Sequence, residues 1–496
     1  MSPNPTPQVE TEPGFSPFVA LCFTINYVMG TGFLTLPWAF LNAGLILSIL
    51  TMFFTGVISD VSKDWVLNAM ARAQAIDDVR RSDNKGGPES RLLPPPADED
   101  GSLPVVSHRK FEIISLCEMF LPPPGPLLYT AAFSLYMYGT LWAYATVFGS
   151  AMVSALPLGT SDDYLIYILI FAGITVPLTC MELKEQVKVQ VALSACRMLL
   201  VAVILATVLA AWNRGEGQFD GIDGPLHIPM VDKGGFYKLL PIAVYANIYH
   251  HSIPGLSHPV EDKRALGKIF RAVFLVMGVC YVSLGGVVGW YFGPSLNSPG
   301  KSSCNLMWHD YLGGDGSCVK NCQEGSADKV WTGRAWWATA AAFYAVLFPA
   351  LDVLSAFPLN GITLGNCLLV RYHGEGARAV EGVRSKVVPW RVLASLPSIV
   401  GAAFVRDLST ITDYTGVTGF VIAFVFPAYL NIRSRREAKR RGLGGRTVYE
   451  GWGSGEWASW GGVAFGGFMV LFVLASLGID AKEGGEEGRR LMGIRG

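Results

Sequence analysis

The stretch Asn26–Gly44, NYVMGTGFLTLPWAFLNAG, lies inside the longest uncharged run of the chain, Pro13 to Ser59. A run of that length and apolarity reads as membrane helix, because about 20 apolar residues cross a hydrocarbon core of about 30 Å. Yet its middle holds Gly30, Gly32 and Pro37, which are weak helix formers. An unsatisfied backbone group in hydrocarbon costs several kcal/mol, so a helix broken at mid-depth persists only where protein or a water-filled cavity covers it. There it exposes N–H and C=O groups to a ligand. The competing reading is a small-residue face for close helix packing. That reading suits an isolated glycine pair. Here a second apolar span, Val244–Lys263 (VYANIYHHSIPGLSHPVEDK), is also interrupted, by Pro254, Gly255 and Pro259. Two broken helices, each first in its half of the chain, point to an inverted-repeat transporter.

The rest of the chain agrees. Of 496 residues, 51% are hydrophobic and 13 are Trp, with a mean hydropathy of +0.36. Apolar spans are expected near 16–40, 43–72, 126–156, 163–181, 188–212, 236–259, 266–292, 333–359, 390–406, 410–431 and 457–478, with a short amphipathic helix at 111–120. The fold class is an all-α membrane protein of about 11 transmembrane helices, five plus five in inverted repeat and one more at the C-terminus. The first repeat takes residues 16–212 and the second 236–432. A tail at 1–15, outer loops at 213–235 and 293–332, a basic loop at 433–456, the last helix at 457–478 and a tail at 479–496 complete the division. The apolar start at Phe15 is too long for a signal peptide and reads as a retained first helix.

Lys plus Arg and Asp plus Glu each number 39, so nothing implies a nucleic-acid partner. Basic clusters at Arg72–Lys110, Lys263–Arg271, Arg371–Arg391 and Arg433–Arg446 fall in alternate loops. The positive-inside rule therefore puts the N-terminus in the cytoplasm and, with eleven spans, the C-terminus outside or in a lumen. No sorting signal separates a plasma membrane from an endolysosomal or vacuolar one. The loop Ile76–Pro104 is polar and Pro-rich and is expected to be disordered and cytoplasmic. The outer loop after the seventh span carries Cys304, Cys318 and Cys322, enough for one disulfide with the pairing open.

At this point the residues carry a resemblance. VMGTGFLTLPWAFLNAG resembles the first-helix motif of the amino acid/auxin permease branch of the amino acid–polyamine–organocation superfamily. YHHSIPGLSHPVEDKRALGKIF, LFPALDVLSAFPLNGITLGN (Leu347–Asn366) and VRDLSTITDYTGVTGFVIAFVFPAYL (Val405–Leu430) are similar to its sixth, eighth and tenth helices. Within that branch, FEIISLCEMF, YMYGTLWAYA and HHSIPGLSHPV resemble the transmembrane protein 104 family. The resemblance implies the five-plus-five fold of the bacterial leucine transporter. Its motifs are specific for fold and weak for substrate.

The candidate site follows from the breaks. The N–H groups of Gly30, Thr31 and Gly32 are expected to be free, and a half-helix N-terminus suits a carboxylate. Carbonyls of the broken sixth span, around Tyr249, His251 and Ser252, would meet an ammonium group. Tyr136, with Tyr138 and Tyr144, would close a side-chain pocket. Of the adjacent His250 and His251, only one is expected to face the cavity, because helical neighbours point about 100° apart; such a His suits proton transfer. Asp352 and Arg197 are ionisable groups at membrane depth, which are functional by default, and Ser355 shares the Asp352 face. In the superfamily's fold, helices 1, 5 and 8 meet at a sodium site. The resemblance implies that Asn26 occupies a sodium-coordinating position and that Arg197 with Asp352 fills the site in place of sodium.

The reading of function is secondary transport of amino acids or similar small zwitterions by alternating access, sodium-independent and open to proton coupling. A sodium-coupled carrier is the first alternative, and an amino acid sensor or scaffold on a transporter fold is the second. The chain shows no enzyme motif, metal cluster or cofactor signature. The partners implied are the substrate, a proton or sodium ion, and the bilayer.

Overall fold

The computed structural model describes residues 14–85, 105–106, 111–181, 187–215, 217–222, 224–298, 303–314, 318–320, 330–331, 334–373 and 383–491. The protein is mostly helical. Among the described residues, seven helices are long and apolar enough to cross a membrane, or eight with one bent pair taken as a single span.

That bent pair is the opening stretch. Helix α1 (Pro17–Val28) starts on Ser16, whose hydroxyl accepts from the Val19 N–H at 3.4 Å, with Pro17 in the first turn. It ends at Val28. A short 3₁₀ turn, Gly32–Thr35, leads into α2 (Leu36–Ala43), and the two halves of the span meet at 51°. Gly44 ends α2 with φ +84°, and a side chain there would come within 2.8 Å of the Val231 backbone.

Helix α3 (Leu45–Lys85) follows, then α4 (Ile113–Phe120), α5 (Pro124–Ala155), α6 (Asp163–Thr179) and α7 (Val187–Arg214). The second interrupted span is α8 (Phe236–Asn247), a 3₁₀ turn at His250–Ser252 and α9 (Ile253–Ser257). Then come α10 (Leu266–Ser283), a π-helical turn at Leu284–Val288 and α11 (Gly289–Phe292). The chain continues with α12 (Trp336–His373), α13 (Arg384–Phe404), α14 (Leu408–Phe420), a π turn at Val421–Val425, α15 (Phe426–Arg440) and α16 (Glu456–Leu491). A small antiparallel pair, Cys318–Lys320 with Val330–Trp331, is the β structure among the described residues.

Pro427 has a physical account. It has no N–H for the Ala423 carbonyl, and the Ser62 hydroxyl of α3 donates to that carbonyl instead. The apolar window of the span Leu408–Arg440 is 78% buried, whereas that of Glu456–Gly478 is 17% buried. The first is therefore central and the last lies at the periphery, with Phe468, Leu471 and Leu474 exposed.

Several boundaries differ from those expected. The second span does not stop at 72. It runs to Lys85, because Ala69, Ala71, Ala73, Ala75 and Ile76 are buried and favour helix. The loop expected at 76–104 therefore begins later, and 86–104 lie outside the described residues. The basic run from Arg433 is helical through Arg440 rather than loop. Arg72 anchors this region, donating to the Gly445 carbonyl at 3.0 Å and to Asn431 Oδ1 at 2.7 Å, and pairing with Glu450 at 3.2 Å. Likewise α12 continues to His373 and α16 beyond 478.

Candidate functional site

The two breaks lie against each other. Tyr281 of α10 donates to the Ala246 carbonyl at 2.9 Å and lies 3.1 Å from the Val28 carbonyl. One hydroxyl thus serves the C-terminal carbonyls of both half-helices, which have no intrahelical partner. Thr31 Oγ1 and the Tyr245 hydroxyl are 3.1 Å apart. Gly32 faces α8 so closely that a Cβ would stand 2.9 Å from the Tyr245 ring and 3.0 Å from Ala246 Cα. Gly32 is therefore also a packing glycine. Gly30 is roomier, its nearest contact being the Tyr144 hydroxyl at 3.6 Å.

Of the three N–H groups expected to be free, two are. The Gly30 N–H is not free; it donates to the Val28 carbonyl at 2.9 Å. Among the described residues, the N–H groups of Thr31 and Gly32 have no hydrogen-bond partner.

Arg197 of α7 and Asp352 of α12 come together behind the first break. Arg197 Nε and Nη2 donate to Asp352 Oδ1 at 3.1 and 2.9 Å, and Nη2 lies 2.7 Å from Oδ2. Nη1 donates to the Met29 carbonyl at 2.6 Å and to the Asn26 carbonyl. The guanidinium thus binds a carboxylate and caps the negative end of α1 together. Both residues are buried, at 4% and 9% exposure. Ser355 donates its hydroxyl to the Asp352 backbone carbonyl at 2.9 Å. Asn26 Nδ2 donates to the backbone carbonyl of Gln190 at 2.6 Å and to its side-chain Oε1 at 2.9 Å.

Two spaces that share lining residues lie beside the breaks. A vestibule of about 440 Å³ is lined by Phe15, Tyr27, Phe133, His251, Ser252 and residues near them. An inner pocket of about 40 Å³ is lined by Asn26, Tyr136, Tyr144, Arg197, His251, Ser355 and their neighbours. Tyr27 and His251 belong to both. His251 Nδ1 and Asn26 Oδ1 are buried without a hydrogen-bond partner. Gly30 and Thr31 border a separate cleft of about 10 Å³ against Arg197 and Asp352.

Not every expected residue reaches these spaces. Tyr249 is fully buried and packs on Phe270 and Phe274, away from both cavities. His250 turns to α3, with Nε2 3.2 Å from the Ser59 carbonyl, so one of the two histidines faces the cavity. Tyr138 donates to the Leu393 carbonyl at 2.9 Å and packs toward α13. Cys304 is a free, buried thiol, pushed up to about 12 by burial. A disulfide through Cys304 is thus not formed; Cys322 and the Cys318 side chain lie outside the described residues. Tyr281, Tyr245, Gln190 and Asn360, whose Nδ2 lies 3.2 Å from the Tyr144 hydroxyl, were not expected at the site. Only their depth in apolar spans pointed to them.

A bundle with two facing helix breaks and a buried ion pair behind one of them is the architecture of a membrane transporter. The chain belongs to the family described as transmembrane amino acid transporter protein, which matches residues 14–84 and 107–302, more than half of its length. It is 26% identical over 479 residues to Transmembrane protein 104 of Homo sapiens, covering 87% of this chain and 90% of that protein. It is 23% identical to the Transmembrane protein 104 homolog of Dictyostelium discoideum, over 85% of this chain and 89% of that one. Among solved structures, MhsT in complex with L-phenylalanine shares its fold, with a TM-score of 0.57 at 10% identity, over 94% of this chain and 99% of that one.

Proposed function

We propose that the protein is a secondary transporter of amino acids or similar small zwitterions, working by alternating access and independent of sodium. The family supports the substrate class. The fold it shares with MhsT, a protein solved with L-phenylalanine, supports the same reading. The arrangement proposed is eleven spans, with the five-plus-five inverted repeat of leucine-transporter-type proteins and a peripheral last helix. The N-terminus is cytoplasmic, so the vestibule opens inward.

The observation that carries the ion dependence is the placement of Arg197. Its partners are the Asn26 and Met29 carbonyls and the Asp352 carboxylate, a set of oxygens suited to a small cation. A guanidinium and a sodium ion cannot share them. Two unit charges 4 Å apart repel by about 4 kcal/mol at an effective dielectric of 20, about a thousandfold in affinity. The fixed charge replaces the ion.

The substrate is read as entering by the vestibule and settling at the inner pocket. Its ammonium group meets Asn26 Oδ1, and its carboxylate reaches the Thr31 N–H once the inner pocket opens into the cleft that Gly30 and Thr31 border. The pocket of about 40 Å³ holds a few waters, so substrate binding requires it to widen. His251, at the junction of both spaces, is the group placed to exchange a proton with the vestibule.

The test is uptake of amino acids into proteoliposomes with sodium replaced by choline, with and without an inward proton gradient. Uptake that survives the replacement is the expected result, and a strict sodium requirement overturns it. Binding without any uptake would instead favour a sensor on this fold.

A further inference from the structure

We propose that the groove between α4 and α15 binds the headgroup of a phosphorylated inositol phospholipid. The groove is a cavity of about 210 Å³ lined by Met119, Leu121, Arg433, Arg436, Glu437 and Arg440 and their neighbours. It is separate from the vestibule and the inner pocket. Three guanidinium groups face it against one carboxylate.

The three arginines share a face because they recur at intervals of three and four along α15. Arg433 is held in place, since its Nε donates to the Phe120 carbonyl at 3.3 Å. Among the described residues its Nη1 and Nη2 have no hydrogen-bond partner. Glu437 is taken by Arg441, 2.8 Å from Oε1, with Arg440 only at 3.9 Å from Oε2. Arg436 pairs with Glu456 at the start of α16. The excess positive charge therefore lies on Arg433 and Arg440, seven residues and about 10 Å apart along α15. Guanidinium forks suit phosphate oxygens, and two separated forks suit a headgroup with more than one phosphate.

The surroundings favour a lipid as the bearer of those phosphates. α4 is amphipathic, burying Ile113, Ile114, Leu116, Cys117 and Phe120. It lies at the same end of the bundle as Phe15, since Ile113, Ile114 and Phe15 all line the vestibule. Five and six residues beyond Pro122, which lines the groove, Leu127 and Leu128 at the start of α5 are 54% and 60% exposed, and Leu135 is 62% exposed further along. Acyl chains lying on these leucines leave the headgroup at the arginines. Basic pockets beside spans on the cytoplasmic side take anionic headgroups in this way. The assignment rests on that end of the protein being cytoplasmic.

The experiment titrates the purified full-length protein in detergent with a short-chain phosphatidylinositol bisphosphate, with phosphatidylserine, and with the soluble inositol phosphate headgroup. Binding is read by native mass spectrometry and by thermal shift. The bisphosphate lipid is expected to bind saturably and more tightly than either comparator. Arg433→Gln with Arg440→Gln is expected to weaken it about thirtyfold, at about fivefold for each arginine. Arg446→Gln, outside the groove, leaves it unchanged. Should the double variant fold poorly, Arg440→Gln alone removes a side chain that is 72% exposed and is expected to cost about fivefold. Equal binding of phosphatidylserine, a soluble headgroup that binds as tightly as the lipid, or variants that keep full affinity would each overturn the proposal.

Discussion

Replacing Asp352 by Asn tests the ion pair directly. The change removes the charge that faces Arg197 Nε and Nη2, now 2.7 to 3.1 Å away. Arg197 stays buried, at 4% exposure, with the Asn26 and Met29 carbonyls and the neutral amide oxygen of the new side chain as acceptors but no counter-charge. Removing one partner of a buried pair costs about 3–5 kcal/mol, and the two retained carbonyls place this variant near about 3 kcal/mol. Arg197→Leu is worse. It strands Asp352 and uncaps two carbonyls at the end of α1, so about 4 kcal/mol or more is expected. Arg197→Leu with Asp352→Leu removes both charges, and buried pairs replaced by apolar side chains are often neutral or better, so a cost below about 2 kcal/mol is expected. In the cycle of the unmodified protein, Arg197→Leu, Asp352→Leu (expected to cost at least what Asp352→Asn does) and the double variant, the two changes are therefore strongly non-additive, with a coupling of at least about 5 kcal/mol. The assay is apparent thermal stability of the four proteins in one detergent, with size-exclusion profiles to confirm a folded species. A double variant as unstable as the sum of the single ones would refute the reasoning.

Three further outcomes are expected. Gly32→Leu drives a side chain into the Tyr245 ring and the α8 backbone and should lose the folded monodisperse protein, while Gly30→Ala, 3.6 Å from the Tyr144 hydroxyl, should fold normally; equal behaviour of the two in size-exclusion chromatography would contradict this. Tyr281→Phe removes the hydroxyl proton that the Ala246 carbonyl accepts, while the Val28 carbonyl keeps the Gly30 N–H, and should cost about 0.5–1.5 kcal/mol, read as a lowered melting midpoint. A reporter fused after Gly496 should signal from the exterior or lumen, and a cytoplasmic signal would remove the eleven-span reading.

Much of this was legible in the sequence, for reasons that particular residues make plain. Gly30 and Gly32 announce the first break because weak helix formers at membrane depth need a cause; the second break falls at Ile248–Ser252 rather than at Pro254 and Gly255, which lie inside α9 with Pro254 in its first turn. Arg197 and Asp352 announce each other because neither charge is stable there alone. Tyr281 gave no such signal. A tyrosine in an apolar span is unremarkable until two helix ends are packed within reach of its hydroxyl, and that proximity is tertiary. Tyr249 was misjudged because helical phase ends at the break. Ile248 has ψ 123° and Tyr249 φ −145°, so side chains beyond Asn247 no longer follow 100° per residue. The end of α3 was misjudged because polar residues beyond 72 suggested a loop, while buried alanines and the Arg72 contacts carry the helix onward.

The contacts around the breaks also limit how the proposed transporter can move. At the far end, Leu45 and Ile46 donate to the Pro229 and Met230 carbonyls at 2.9 Å each, and Asp232 donates to Ala43 at 2.8 Å. These bonds hold the entry of α3 against the segment before α8, and an outward opening has to exchange them for water. At the near end, the Phe15 N–H donates to Pro259 at 2.7 Å and the Glu261 N–H to Phe15 at 3.2 Å, a parallel bridge. The start of α1 and the exit of α9 are thereby joined, so in the proposed transporter closing the vestibule would carry both together. Between the two ends stands Arg197, fixed to the last carbonyls of α1 on one side and to α12 on the other. Swinging α1 away from Arg197 would leave a buried guanidinium without two of its acceptors, a cost of the order of several kcal/mol. Rotation about the guanidinium preserves those contacts. In the proposed transporter, α1 would then turn about the ion pair, with Gly30 and Thr31, which lie between α1 and the 3₁₀ turn, as the hinge.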